Sequence, residues 1–144
     1  MRKREIFFYF VLLCIQTLFN MTLTHLFFIG IGGGIGSMLR YAVQWLVSRH
    51  TTIVFPAGTF IVNITGCFLI GLFYALAAKG NMLSTELRLF LITGLCGGYT
   101  TFSSFSYENI ELLKQAHYLQ FALYTGLSVV LGLLATVGGM ATIR

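Results

Sequence analysis

The sequence has little charge, no aspartate and a single proline. Charged side chains make up 9% of its 144 residues, whereas an ordinary soluble domain carries about 25%. Nine basic and four acidic residues cannot cover the surface of a water-soluble protein of this size. This scarcity excludes a cytosolic globular enzyme, a nucleic-acid-binding module and a disordered segment, and it indicates an integral membrane protein. In such a protein the formal net charge of +5 reports membrane topology rather than affinity for nucleic acid.

Side chains that carry chemistry are also scarce. The three histidines lack the spacing of metal ligands. The three cysteines lie in apolar runs, which is typical of buried free thiols and argues against a disulfide framework. No paired carboxylate, no nucleophile beside a base and no phosphate loop is present. We therefore expect no enzymatic activity, and no proton-coupled transport, which needs an ionisable relay in the membrane. The four acidic residues all fall outside the apolar runs or at their ends: Glu5, Glu86, Glu108 and Glu111.

Four apolar runs are long enough to cross a membrane, which takes about 20 mainly apolar residues per helix. They cover residues 21–47, 55–78, 87–105 and 115–143. Pro56 suits the first turn of the second helix, and Ser84 suits the N-cap of the third. Because the loops are short, no room remains for a catalytic domain outside the membrane. The sequence therefore predicts an all-α integral membrane protein with four transmembrane helices per subunit.

Residues 1–20 do not fit this pattern. A basic cluster and a short apolar run resemble the first two regions of a signal peptide, but no small-residue cleavage site follows. We expect an N-terminal extension at residues 1–20 and a functional domain at residues 21–144. A lengthened first helix is the alternative.

The basic residues near the four runs are balanced between the two sides of the membrane. With three on each side, the positive-inside rule gives almost no orientation, which favours insertion in both orientations and antiparallel pairing. The basic cluster at residues 2–4 would favour an N-terminus inside, so a single weakly specified orientation stays open. One side holds Lys79, Arg88 and Arg144, and the other holds Arg40, Arg49 and Lys114.

Glycines in the first and third runs recur at a spacing of four residues. Such small residues let helix backbones approach closely, since lipid offers no hydrophobic drive for helix association. The spacing predicts a tight bundle and a dimer, because a lone four-helix unit has little interior for a pathway. The pairs are Gly30 and Gly34, Gly32 and Gly36, and Gly94 and Gly98.

The third run contains a segment, residues 94–106, that is unfavourable for a continuous helix. Paired glycines and the adjacent Thr100 and Thr101 weaken it, which predicts a break mid-span. Carbonyls freed by a break survive only when buried or lining a polar cavity, and they suit a bare cation. Phe102 and Phe105 share one helix face. A packing kink, with hydroxyls bonded to the preceding turn, is the alternative.

Two other runs carry polar side chains. Asn63 shares a face with Thr59 and Gly66, although a lone membrane asparagine is as often a contact between helices. Tyr124 and Ser128 lie four residues apart and could form a hydroxyl track. Amide and hydroxyl donors and the positive edges of phenylalanine rings can replace the hydration shell of an anion. The absence of buried acids therefore favours an anion pathway.

Three motifs resemble those of the Fluc (CrcB) fluoride channels. They are GGGIG with LRY at residues 32–41, FPxGTxxVN at residues 55–63 and GGYTTFSSF at residues 97–105. The third motif is specific, whereas the glycine cluster alone would be weak, and the resemblance covers residues 21–144. It implies a dual-topology antiparallel homodimer in the inner membrane of a prokaryote, with two narrow pores that passively export fluoride from the cytoplasm.

The resemblance also implies roles for individual residues. Asn63 would contact fluoride, and Phe102 and Phe105 from both subunits would form an aromatic constriction. The carbonyls of Gly97 and Thr100 would hold a structural sodium ion where the broken third helices cross at the dimer centre. Polar pore lining is assigned to Thr59, Ser104, Tyr124 and Ser128, and a position toward a vestibule to Arg40, which could instead snorkel to the interface.

Two rival functions differ from a channel in testable ways. A small four-span multidrug exporter is similar in size, but it would need a carboxylate in its first helix, and residues 21–47 contain none. A structural subunit of a larger complex would use Asn63 and the phenylalanine pair for packing only, and it would pass no ion.

Overall fold

The computed structural model describes residues 23–51, 53–80 and 82–143, which form helices and connecting turns and contain no strand. The predicted N-terminal extension at residues 1–20 lies outside this part of the chain. In chain order the elements are α1 (Leu23–His50), α2 (Ala57–Ala78), α3 (Thr85–Arg88), a π-helix (Leu89–Cys96), α4 (Gly97–Tyr99), α5 (Phe102–Lys114) and α6 (Tyr118–Ala141). The prediction of an all-α protein is confirmed.

The three longest helices, α1, α2 and α6, are long and apolar enough to cross a membrane. They match the predicted runs at residues 21–47, 55–78 and 115–143 to within three residues at every boundary. Pro56 occupies the N-cap of α2 rather than its first turn. α6 begins later than predicted because Ala116 adopts a left-handed backbone conformation, with φ of 59°, between α5 and α6.

The third predicted run is divided into short segments. Ser84 caps it as predicted, since its hydroxyl accepts a hydrogen bond from the amide of Leu87 at 3.2 Å. The helical path then continues to Tyr99, and the backbone of Thr100 and Thr101 is extended. A new helix begins at Phe102 and ends at Lys114, so the predicted end of this run at residue 105 is wrong.

The reason for the later end is a cap that the sequence analysis did not identify. The Thr101 hydroxyl accepts a hydrogen bond from the amide of Ser104 at 3.2 Å and so caps α5. A helix that begins there can continue through the polar residues 106–109, where hydropathy alone indicates the end of a run.

The small residues of α1 pack against the π-helix and α4 within one chain. A side chain at Gly32 would meet the carbonyl of Phe90, and one at Gly36 would meet the carbonyl of Leu95. The predicted close packing is therefore present for the Gly32 and Gly36 pair. A side chain at Gly30 or Gly34 would meet nothing within 4 Å.

α2 and α6 form the second close pair of helices. A side chain at Gly71 would meet the carbonyl of Thr136, and one at Gly139 would meet the carbonyl of Phe68. Backbone groups stand opposite both glycines, and the two contacts lie three residues apart on each helix, at positions 68 and 71 of α2 and 136 and 139 of α6. The closest approach of the two helices therefore extends over about one turn of each.

Replacing Gly139 by alanine should destabilise the α2–α6 pair, because a backbone carbonyl cannot rotate away as a side chain could. We expect a loss of about 1–3 kcal/mol, seen as a lower thermal unfolding midpoint of the detergent-solubilised protein. Gly138→Ala is the matched control, since a methyl group there meets nothing within 4 Å. Equal midpoints for the two variants would contradict this account of the packing.

Candidate functional site

The break between α4 and α5 is held by one side chain of α2. Asn63 Nδ2 donates to the carbonyl of Thr101 at 3.1 Å, and the amide of Thr101 donates to Asn63 Oδ1 at 2.8 Å. The asparagine amide thus pairs with a peptide unit as a second peptide unit would. Its Nδ2 carries one further N–H, which these two bonds leave free for another acceptor.

Two backbone carbonyls lose their helical partners at the same break. In a continuous α-helix the carbonyl of Gly97 accepts from the amide of Thr101, but that amide donates to Asn63. The carbonyl of Thr100 would accept from the amide of Ser104, which instead donates to the Thr101 hydroxyl. These are the two carbonyls that the resemblance assigned to sodium.

The donor chemistry at the break fits that ion. Carbonyls of unwound backbone are known sodium ligands in membrane proteins, and Gly97 is exposed in the single chain. Among the described residues, no group of three His, Cys, Asp or Glu side chains could hold a metal ion.

A groove of about 310 Å³ opens beside the break. We call it the phenylalanine groove, and its lining includes Asn63, Cys67, Phe102, Phe105 and Ser128. The centroids of the Phe102 and Phe105 rings are 5.8 Å apart, and the ring planes are inclined by 36°. The Phe102 side chain is 79% exposed in the single chain. One chain therefore supplies one wall of this groove and leaves a large ring uncovered.

Ser128 contributes an unpaired hydroxyl to the same groove. Its Oγ is buried and has no hydrogen-bond partner within the described ranges. Buried polar atoms are nearly always bonded, so a donor left free in a groove is suited to bind an acceptor that enters it. The predicted residues Asn63, Phe102, Phe105 and Ser128 are thus brought together.

A second polar centre surrounds Glu108. Its carboxylate accepts a hydrogen bond from the Thr59 hydroxyl at 2.7 Å and one from the Tyr124 hydroxyl at 2.7 Å. Thr59 is 2% exposed and Tyr124 is fully buried. Gln44 Nε2 donates to Thr59 Oγ1 at 3.0 Å. The expectation that every glutamate lies outside the runs or at their ends is wrong for Glu108, which lies in the middle of α5.

A larger groove of about 630 Å³ opens over this centre. We call it the glutamate groove, and its lining includes Gln44, Thr59, Ser104, Tyr107 and Glu108. The predicted lining residues Thr59 and Ser104 therefore lie here rather than in the phenylalanine groove.

Tyr124 connects the two grooves. Its ring centroid is 5.1 Å from that of Phe105 in the phenylalanine groove, while its hydroxyl donates to Glu108 in the glutamate groove. Tyr124 itself is fully buried and lines neither groove. The hydroxyl track of Tyr124 and Ser128 therefore stays a prediction.

Arg40 was predicted to lie toward a vestibule, whereas Glu108 was not predicted as a site residue. Arg40 is half-buried on α1, one turn before Gln44, and lies outside the lining of both grooves. Glu108 was missed as a site residue, although a signal existed. Ser104 and Glu108 are four residues apart and share a face of a helix that begins at Phe102, but the expected end at residue 105 concealed this spacing.

Asn63→Ala should destabilise the fold, because it leaves the amide and the carbonyl of Thr101 without the partners they have now. Each unsatisfied buried backbone group costs about 1–3 kcal/mol, so the thermal midpoint in detergent should fall clearly. Thr136→Val is the matched control, since it removes a hydroxyl that bonds only the carbonyl of Gly132 in its own helix. A midpoint for Asn63→Ala as high as that of the control would show that the break needs no support from α2.

Comparison with known proteins identifies the family of this chain. The family described as "CrcB-like protein, Camphor Resistance (CrcB)" matches residues 27–140. A protein of Flavobacterium psychrophilum named "Fluoride-specific ion channel FluC" is 52% identical over 115 residues, covering 80% of this chain and 93% of the relative. Proteins of the same name from Phocaeicola vulgatus and Azobacteroides pseudotrichonymphae are 49% and 44% identical, each with 94% of its length covered and 80% and 81% of this chain. The chain belongs to the CrcB-like protein family.

Proposed function

We propose that this protein is a fluoride-selective ion channel that passively exports fluoride from the cytoplasm and lowers its intracellular concentration. One observation carries the proposal: uncharged donors and aromatic rings are gathered along a groove at a helix break. Asn63 has a free N–H, Ser128 has an unpaired hydroxyl, and two phenylalanine rings lie beside them. The curated relatives named fluoride-specific ion channels support the same function.

The protein is a multi-pass protein of the bacterial inner membrane. Within it, the segments from α3 to α5 form a single transmembrane span that is interrupted at Thr100 and Thr101. Extended backbone at membrane depth is tolerated where it is bonded or lines a polar cavity. The hydrogen bonds from Asn63 and the adjacent groove meet both conditions, and this supports the proposal of a broken third helix.

The functional unit is an antiparallel homodimer with two pores. The phenylalanine groove is open on one side, with Phe102 79% exposed, so a second copy is needed to close it around an ion. The balance of three basic residues against three near the four runs gives little preference for one orientation. This supports a dual topology, in which the two copies insert in opposite directions.

Fluoride crosses by exchanging water for protein donors. Asn63 and Ser128 contact the ion in the phenylalanine groove, and the edges of Phe102 and Phe105, which carry the positive part of the ring quadrupole, form the constriction. Because these groups are neutral, they bind an anion without holding it too tightly to leave. No chemical step and no energy coupling is involved. The path continues past Tyr124, Thr59 and Ser104, with Arg40 toward a vestibule.

A structural sodium ion bound at the dimer centre would hold the two broken helices together. The carbonyls of Gly97 and Thr100 supply oxygen ligands, and the equivalent carbonyls of the second copy would complete the site. The loss of their helical partner amides supports this assignment, since a cation can stabilise carbonyls that no N–H reaches.

The rival functions are less well supported. The relatives are named as ion channels, and the first run lacks the carboxylate that a four-span multidrug exporter would use. A structural subunit is distinguished by experiment, because purified protein of that kind would pass no ion.

Purified protein in potassium-loaded liposomes with valinomycin should release fluoride rapidly and hardly any chloride. Phe102→Ile and Phe105→Ile should each lower the initial fluoride flux about 2- to 10-fold, since an aromatic contact contributes about 0.5–1.5 kcal/mol. A fluoride electrode gives the rates. Phe27→Ile, in an exposed ring of α1 outside both grooves, is the control and should match the parent protein. Equal release of fluoride and chloride would refute the proposed selectivity.

Replacing sodium by N-methyl-D-glucamine in every buffer should shift detergent-solubilised protein from dimer toward monomer, because the larger cation cannot fit among backbone carbonyls. Light scattering coupled to size-exclusion chromatography measures the mass. Potassium chloride at the same ionic strength separates a specific site from general screening. An unchanged dimer fraction in all three salts would remove the sodium site from the account.

A further inference from the structure

A chain of four polar side chains joins all of the long helices at the glutamate groove. It runs from Gln44 on α1 to Thr59 on α2, then to Glu108 on α5 and Tyr124 on α6, with separations of 3.0, 2.7 and 2.7 Å. Each bond connects a different pair of helices. The function proposed above uses Thr59 and Tyr124 and leaves Gln44 without a role.

The hydrogen bonds among these four side chains have a fixed direction from donor to acceptor. A hydroxyl has one proton to donate, and Thr59 gives it to Glu108 while accepting from Gln44. An amide N–H can only donate and a carboxylate can only accept. The Gln44 amide and the Glu108 carboxylate therefore both require the Thr59 hydroxyl proton to point toward Glu108. Tyr124 also donates to Glu108. All hydrogen-bond donors of the chain therefore point toward one carboxylate.

That arrangement matters because a carboxylate lines a groove proposed to pass an anion. Two negative charges 4 Å apart repel by about 4 kcal/mol where the effective dielectric constant is near 20. Each oxygen of the Glu108 carboxylate accepts a hydrogen bond from a buried hydroxyl. These hydroxyl dipoles partly offset the negative charge of the carboxylate. Without the donor from Gln44, the Thr59 hydroxyl is free to turn, and one carboxylate oxygen can lose its partner.

We propose that Gln44 is a positioning residue for anion passage: it fixes the direction of the Thr59 hydroxyl and thereby keeps the Glu108 carboxylate bonded while an anion moves through the glutamate groove. This inference rests on the proposed fluoride-channel function and adds to it a residue of α1. Gln44 acts through Thr59 and Glu108 and need not touch the ion.

The test measures fluoride efflux from liposomes for Gln44→Met, which keeps the size of the side chain and removes the donor. The flux should fall about fivefold to tenfold. Gln120→Met, the same substitution on α6 outside both grooves, is the control and should leave the flux unchanged. In a Thr59→Val background the second substitution, Gln44→Met, should have no further effect, because its target hydroxyl is absent. A purely structural role would give additive losses instead.

A second variant, Gln44→Glu, separates bonding direction from packing. At pH 7.5 its carboxylate accepts the Thr59 proton, and the flux should fall further than in Gln44→Met. At pH 4.5, close to the ordinary pKa of a glutamic acid, a large share of this acid is protonated and donates as the amide does, so the ratio of its flux to that of the parent should rise. The other titratable groups that face this position are Tyr107 and Glu108 on α5 and Tyr124 on α6, and dividing by the parent at each pH removes their contribution.

The outcomes are distinct for the two proposals. Parent protein that conducts fluoride, with Gln44 variants that equal it at both pH values, would overturn the role of Gln44 and leave the channel intact. Parent protein that releases no fluoride would overturn the proposed function, and the role of Gln44 with it.

Discussion

Two hydrogen bonds between the Asn63 side chain and the backbone of Thr101 are the interaction on which the remaining features depend. A break in a helix at membrane depth persists only where its backbone groups find partners. An asparagine amide supplies a donor and an acceptor together, so it can replace a peptide unit. Because of the break, the carbonyls of Gly97 and Thr100 lose the amides that would be their partners in a continuous helix. A new helix begins at Phe102, and the ring of Phe102 lines the phenylalanine groove.

The sequence predicted the helical architecture well because long apolar runs and short loops leave few alternatives. Three runs became single helices close to the expected residues, and Ser84 capped the third as expected. The end of the third run was wrong, because hydropathy falls at residues 106–109 while the Thr101 cap starts a helix that continues through them. Hydropathy reports the average environment of a segment, whereas a cap depends on one hydroxyl in one backbone conformation.

The structure shows where the predicted site residues lie, and it divides them between two grooves. Asn63 and the two phenylalanines do lie in one groove, but Thr59 lies in another, beside Glu108. The link between Thr59, Glu108 and Tyr124 joins positions 16 and 49 residues apart. No local pattern reports which distant hydroxyls meet a carboxylate. Glu108 also changes the electrostatic picture, because the sequence predicted no acid at the site and the structure shows a carboxylate, held by two buried hydroxyls, in the lining of the glutamate groove.

Fluoride passage is proposed to occur without coupling to protons, although a titratable side chain, Glu108, lines the glutamate groove. The reversal potential of the current across a planar bilayer containing the purified protein, with fluoride on one side and chloride on the other, tests this most directly. The account predicts a potential that follows the fluoride gradient and stays constant when a pH difference between 6.5 and 7.5 is imposed. A potential near zero at equal concentrations of the two anions, or one that moves with the pH difference, would contradict it.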